Sequence, residues 1–284
     1  MNSYKYISSR QIQWAHNNGI KLIGSKGERG FPAYTQTLDE NLFEPLSAET
    51  IKAIRKGDGG ELSGNPAKMQ AVHSSSALGI NIFQYWQTIA QPEKIAHACR
   101  LCNKSTTLSK SIQFEAKYPI DDRFVMGPNI DVVIKNDPSA KHKVYAIECK
   151  FTEAYGGRGH GGIKDKYLDL DIWDEIPHLH KVAVSINPDD NEAQYLHRAQ
   201  LIKHILGLMR AYGKTGFRLL YLWYDTLGHD GYIHRKEIEE FIENAKKDSI
   251  KVHGMSYQEL IMWLGENYRE NHQEYIEYIT SRYL

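Results

Sequence analysis

The sequence predicts a mixed α/β, or α+β, protein: a mixed central sheet flanked by helices. Three observations point there. Strand-like segments follow one another at hairpin spacing between residues 111 and 151, helical apolar periodicity lies on either side of them, and another apolar run, 217–224, follows an amphipathic stretch. Strands grouped in this way differ from the strict strand–helix alternation of a doubly wound sheet.

In chain order, residues 1–60 are polar and broken by glycines at 24, 27, 30, 57, 59 and 60. Within them, Ser47-Ala-Glu-Thr-Ile-Lys-Ala-Ile-Arg predicts a short helix capped by Ser47. Asn65-Pro66 reads as the start of a long helix, with Met69, Val72, Leu78, Ile82, Phe83 and Trp86 as its buried stripe. Strands are expected at 111–118, 129–134 and 143–151, as a meander whose last link is the turn Asn136-Asp-Pro-Ser. The run Tyr155-Gly-Gly-Arg-Gly-His-Gly-Gly predicts a loop, 180–186 a short strand, and 193–212 an amphipathic helix. From residue 231 a helical tail is expected, with Ser256-Tyr-Gln-Glu259 as a capping box. The expectation is a single domain, 1–284, with an N-terminal extension (1–64), a core (65–228) and a C-terminal helical region (229–284).

Composition narrows the class. The chain has 284 residues, 41% hydrophobic and 25% charged, which excludes a disordered polymer. No apolar stretch approaches the roughly 18–20 residues of a membrane span, and Met1-Asn-Ser-Tyr-Lys-Tyr carries no export signal. Three cysteines fit a reducing, cytoplasmic setting, and Cys99-Arg-Leu-Cys102 lacks the second ligand pair of a zinc site. The 35 basic and 35 acidic residues cancel. Residues 229–284 hold 7 Lys+Arg against 11 Asp+Glu, which leaves 28 against 24 in residues 1–228. The core is therefore mildly basic, which excludes charge-driven coating of nucleic acid but not a localised basic cleft. No motif calls for an organic cofactor, since the glycine-rich run lacks the order of a phosphate-binding Walker loop.

Chemistry concentrates in Asp131, Glu148 and Lys150. Side chains alternate along a strand, so Glu148 and Lys150 share one face while Ile147, Cys149 and Phe151 take the other. If the strands on either side of the 136–141 turn pair, Asp131 can reach the same face near Glu148. Two converging carboxylates suit Mg²⁺, and a lysine beside them can orient a water or offset charge on an attacked phosphate. A Glu-x-Lys pair also occurs on the solvated face of ordinary strands. Its apolar flanks, Val144-Tyr-Ala-Ile and Val132-Val-Ile, favour buried strands, where unpaired charge is costly.

The spacing Asp131…Glu148-x-Lys150 resembles the signature of the PD-(D/E)XK nuclease superfamily, the restriction-endonuclease-like fold. The segments Gln11-Ile-Gln-Trp14, His73-Ser-Ser-Ser-Ala-Leu-Gly-Ile-Asn-Ile-Phe83, Phe114-Glu115, Pro128-Asn-Ile-Asp131, Ile147-Glu-Cys-Lys-Phe-Thr-Glu153 and Tyr278-Ile-Thr-Ser-Arg-Tyr283 resemble a family of prokaryotic proteins of that fold. One departure is that Pro128 stands three positions before Asp131 rather than next to it. The resemblance implies a DNA endonuclease with Asp131 and Glu148 as ligands of Mg²⁺ (Mn²⁺ substituting), Lys150 as the catalytic lysine, and products with 5′-phosphate and 3′-hydroxyl ends. It also implies a further glutamate, for which Glu61 and Glu115 are rivals, and a homodimer, since cutting two strands takes two sites.

Nucleic-acid contacts are expected from Arg158, His160 and Lys164 in the glycine-rich loop and from Gln200 and Lys203 on the following helix, where His204 could also face the cleft. Small hydroxyls at Ser74-Ser-Ser76 fit helix packing better than a nucleophile, because no base and orienting acid accompany them. Two alternatives stay open: a catalytically inactive DNA-binding or assembly module on the same fold, and an interaction protein in which Glu148 and Lys150 form a plain ion pair.

Overall fold

The computed structural model describes residues 2–27, 29–103, 108–124, 127–157 and 159–284. Its helices are α1 (Ser3–Asn17), α2 (Ala48–Lys56), α3 (Ser75–Thr88), α4 (Pro92–Ala98), α5 (Pro177–Ser185), α6 (Arg198–Tyr212), α7 (His229–Lys247), α8 (Tyr257–Tyr268) and α9 (Gln273–Tyr283). The strands are β1 (Ile23–Gly24), β2 (Pro32–Tyr34), β3 (Ser109–Lys117), β4 (Asn129–Asn136), β5 (Val144–Lys150), β6 (His160–Gly161), β7 (Asp189–Asp190), β8 (Phe217–Trp223) and β9 (Val252–Ser256). Five of them form the central sheet in the order β3-β4-β5-β8-β9, while β1-β2 and β6-β7 are small separate pairs. The expected meander β3-β4-β5 is antiparallel, and β8 and β9 extend it in parallel with β5. The mixed sheet flanked by helices is the predicted fold class.

Strand β5 lies at the centre and is buried along Val144–Cys149, as its continuous apolar sequence requires of a strand covered on both faces. One face packs Ile147, Cys149, Leu220 and Leu222 against α3, α8 and α9. The other packs Val144, Ala146, Leu219 and Tyr221 against α5, α6 and α7. Helix α6 passes so close that a β carbon at Gly207 would lie 2.5 Å from the carbonyl oxygen of Tyr118, so only glycine fits there.

Several boundaries differ from expectation for identifiable reasons. The helix expected from Asn65-Pro66 begins instead at Ser75, because the preceding backbone is engaged in pairing: Thr35 N–H donates to Gln70 O and Val72 N–H to Ala33 O. Ser74 is its cap, accepting from Ala77 N–H at 3.2 Å, so this hydroxyl serves helix architecture. Residues 180–185 belong to helix α5 and Ile186 caps it, so no strand forms there. Pro177 occupies its first turn, and the Asp248 carboxylate accepts from the His178 and Leu179 N–H groups at 3.1 and 2.7 Å, capping it from a distant element. Helix α6 starts at Arg198 rather than 193, since the Gln194, Tyr195 and Leu196 N–H groups donate to the Glu237 carboxylate. Part of the expected glycine-rich loop is ordered: Thr152–Tyr155 is a 3₁₀ turn, and β6 pairs with β7. The tail is helical as expected and adds strand β9; the capping box at Ser256 and Glu259 forms.

The two ends of the chain are clasped together. Buried Arg282 on α9 donates to Gln11 Oε1 on α1, to Asn41 through its carbonyl and side chain, to Tyr278 Oη and to Val72 O, and its guanidinium stacks 4.2 Å from the Trp14 ring. Asn81 of α3 joins the clasp by donating to Asn41 O and Tyr283 Oη. Among the described residues no helix is long and apolar enough to cross a membrane.

Candidate active site

Strands β4 and β5 part where the acids sit. Their ladder runs from Lys135↔Val144 to Val132↔Ile147 and stops one residue short of Asp131 and Glu148. Past that point β5 continues beside β8 up to Lys150↔Trp223. The Asp131 side chain fills the opening, its Oδ2 accepting the Cys149 N–H at 2.7 Å. Asp131 also lines a small cavity of about 20 Å³ beneath α3, with Glu115, Ser75, Ser76 and Cys149 around it. It therefore lies in the seam of the sheet and opens toward α3, whereas the sequence placed it on the Glu148 face.

Glu148 and Lys150 do share the face toward α6. Glu148 is 0% exposed, and its Oε1 is 2.6 Å from Lys150 Nζ. Its Oε2 is 2.7 Å from Nε2 of His204, which α6 brings down onto the strand. The register of α6 set at Gly207, one turn later, makes that approach possible. Burial acts to raise the Glu148 carboxyl, but Lys150 and His204 outweigh it and bring it down to about 2. Burial disfavours the Lys150 ammonium, yet Glu148, Glu153 and Asp131 hold its affinity for the proton above the ordinary lysine value. Asp131 forms no ion pair among the described residues, though the charge of Lys150 reaches it. Burial, and then the charge of Glu148, push its carboxyl well above the usual range.

Glu115 lines the cavity with Asp131, and Glu61 lies in the neighbouring turn, close enough for its charge to act on Glu115. Glu115 takes a left-handed backbone, φ +51°, within β3, a conformation that favours glycine; the other non-glycine residues of this kind among those described follow helix ends. Its carboxylate lies under the 57–60 turn, where a β carbon on Gly57 would be 2.8 Å from its Oε2. Burial, then Glu148, Glu61 and Asp58, raise the Glu115 carboxyl to about 7. Glu61 sits in the turn after Gly60, not on a helix, and its carbonyl accepts from Met69 N–H. Lys117, bonded to Asp58 at 2.7 Å, anchors the turn over the site.

The other expected contacts spread along α6 and the β6 segment. His160 stacks on His197 at 5.1 Å and its Nε2 lies 3.2 Å from Gln194 O. Lys164 is exposed, and Lys203 stands over the Tyr167 ring at 5.3 Å. Gln200 lies one turn before His204 on α6, half-buried. Arg158 falls outside the described residues. Sequence reasoning reached His204 as a cleft residue but not its contact with Glu148, and it missed His197, whose imidazole burial, His160 and Lys150 bring down to about 4. Cys99 and Cys102 are free thiols.

The acids suit a hard divalent cation: the donors are all oxygen, and burial and mutual repulsion raise the proton affinity of Asp131 and Glu115, a penalty on their charged forms that a cation would relieve. Among the described residues no three or more His, Cys, Asp or Glu side chains are arranged so that together they could hold a metal ion. That is compatible with Mg²⁺, which takes one or two carboxylates and keeps waters. Both oxygens of Glu148 are engaged by Lys150 and His204, so Glu148 must yield one contact to serve as a ligand. A larger cavity of about 610 Å³ opens at the ends of β8 and β9 beside Arg10, Tyr224 and Arg235, and none of these acids lines it.

No curated protein and no solved structure matches the chain. A family does. The match runs over residues 8–284, taking in the parting strands and the Arg282 clasp, and the chain belongs to the family described as "Restriction Endonuclease associating with ARP".

Proposed function

We propose that the protein is a metal-dependent endonuclease of the PD-(D/E)XK type, hydrolysing DNA phosphodiester bonds in restriction or defence. The observation that carries this reading is that Asp131 stands where β4 and β5 part, with Glu115 beside it in the cavity under α3 and the Glu148–Lys150 pair next along β5 on the α6 side. The family's description as restriction endonucleases supports it. Asp131 and Glu148 would hold Mg²⁺ or Mn²⁺, with Glu115 favoured over Glu61 as the third acid. The bound cation would offset charge on the attacked phosphate. Lys150, once released from Glu148, orients a water with its Nζ and faces the phosphate as a fixed positive charge. His204 keeps the Glu148 carboxylate oriented. A homodimer would present two such sites to two strands, and ARP, named in the family's description, is a proposed partner.

A second reading, an inactive module on the same fold, draws on the engagement of both Glu148 oxygens. Plasmid DNA decides between them. With Mg²⁺ or Mn²⁺ the protein is expected to nick or linearise it, and Asp131→Ala or Lys150→Ala to lower the rate at least about a hundredfold. Cleavage that survives both substitutions rejects this site. Metal-dependent binding without cleavage favours the inactive module.

A further inference from the structure

Beside the acids, the α6 face carries a concentration of positive charge that the catalytic reading does not use. Lys166 Nζ lies 4.8 Å from the centre of the Phe124 ring and 5.2 Å from that of Tyr167. Lys203 Nζ, from α6, lies 5.3 Å from the same Tyr167 ring. The two rings are themselves 4.6 Å apart, and Tyr167 is buried with 8% exposed, so together they make a floor beneath two ammonium groups. The lysine ion pairs among the described residues are made by Lys110, Lys117, Lys150, Lys236 and Lys246, not by Lys164, Lys166 or Lys203. Asp165, the acid between them in sequence, turns its Oδ1 to the side chain of Asn187 at 2.7 Å. Burial, then Lys166 and Lys164, lower the proton affinity of Lys203, so the charge is held there at a cost.

Aromatic faces attract cations but leave a net positive charge that only an anion removes. A phosphate answers that need, because its oxygens accept charge-assisted bonds from several ammonium groups at once. Location supplies the source. Lys203 precedes His204, whose ring holds Glu148, and His197 on the same helix feels the charges of both Lys150 and Lys203. We propose that Lys166 and Lys203, set on the Phe124–Tyr167 floor, form with neighbouring Lys164 a phosphate subsite that grips the DNA backbone away from the bond to be cut. The subsite takes its ligand from the proposed DNA substrate and adds Lys166, Phe124 and Tyr167 to what that reading invokes.

Binding of a short DNA duplex in EDTA, followed by fluorescence anisotropy across a salt series, tests the subsite without any cleavage. Each lysine–phosphate contact contributes about 0.9 to the slope of log affinity against log salt. The paired substitution Lys166→Gln/Lys203→Gln is expected to lower that slope by about 1.8, and Lys166→Arg/Lys203→Arg to restore most of it. An unchanged slope in a glutamine variant whose thermal unfolding matches the parent overturns the subsite. So does inorganic pyrophosphate raising the unfolding temperature of the parent but not of the variant while the slope stays constant, since that marks a free-anion site. A protein that binds DNA with the full slope yet never cuts it leaves the subsite standing and rejects the nuclease reading.

Discussion

Two buried polar clusters divide the molecule. Around Arg282 the guanidinium makes five hydrogen bonds, matching its five N–H donors, with carbonyls, amides and a hydroxyl as acceptors. Around Asp131, Glu115 and Glu148 the charges outnumber their local partners, and two of the three carboxyls are pushed up as a result. The first cluster is saturated and can only hold parts together. In the second, burial and mutual repulsion disfavour the charged carboxylates, a penalty that a bound cation would relieve and that suits the proposed metal site better than a purely structural role.

The largest expected effect falls on the saturated cluster. Arg282→Met strands the acceptors of Asn41, Val72 and Gln11, each costing about 1–3 kcal/mol when buried without a partner. Urea unfolding should therefore show a loss above about 3 kcal/mol, and a loss below about 1 would equate the two clusters. The acid cluster should behave oppositely. Glu115 has a folded value of about 7 against 4.5 for an ordinary glutamate, so below about pH 4.5 it is protonated in both states and has no effect. As pH rises toward 7 the unfolded chain gives up its proton first, and stability falls by about 1–3 kcal/mol in EDTA. Glu115→Gln should flatten that decline in urea titrations, and a decline unchanged by the substitution would refute the charge excess. The smallest effect concerns orientation. With His204→Leu, Mn²⁺ affinity is expected to drop about tenfold, while His204→Gln, which can still donate to Glu148, stays near the parent. Equal affinities by calorimetry would remove His204 from the site.

The sequence revealed what depends on local period and missed what depends on distant partners. The β3-β4-β5 meander was legible because alternation and a turn signal define it within about forty residues. The same alternation put Glu148 and Lys150 on one face. Helix α5 was misread because a short apolar run fits helix or strand, and Asp248, which settles the matter, lies 70 positions away. Strand β9 was invisible because Val252-His-Gly-Met-Ser carries little strand character until β8 lies beside it. The exact setting of Asp131 depended on where two strands separate, which no residue pattern encodes. His204 could be placed on a helix, but not against Glu148.

The clasp at Arg282 also bears on how the chain is made. Its bond to Gln11 spans 271 positions, so α1 gains this partner only after residue 282 has been synthesised. Contacts of such long range slow folding and leave early segments waiting. Without residue 282, Trp14 loses the guanidinium over its ring and Gln11 its hydrogen-bond partner, and such a polypeptide is expected to be cut faster by a protease than one that carries it. The clasp thus couples the ordering of α1 to that of α9, so that loss of either helix unsettles the other.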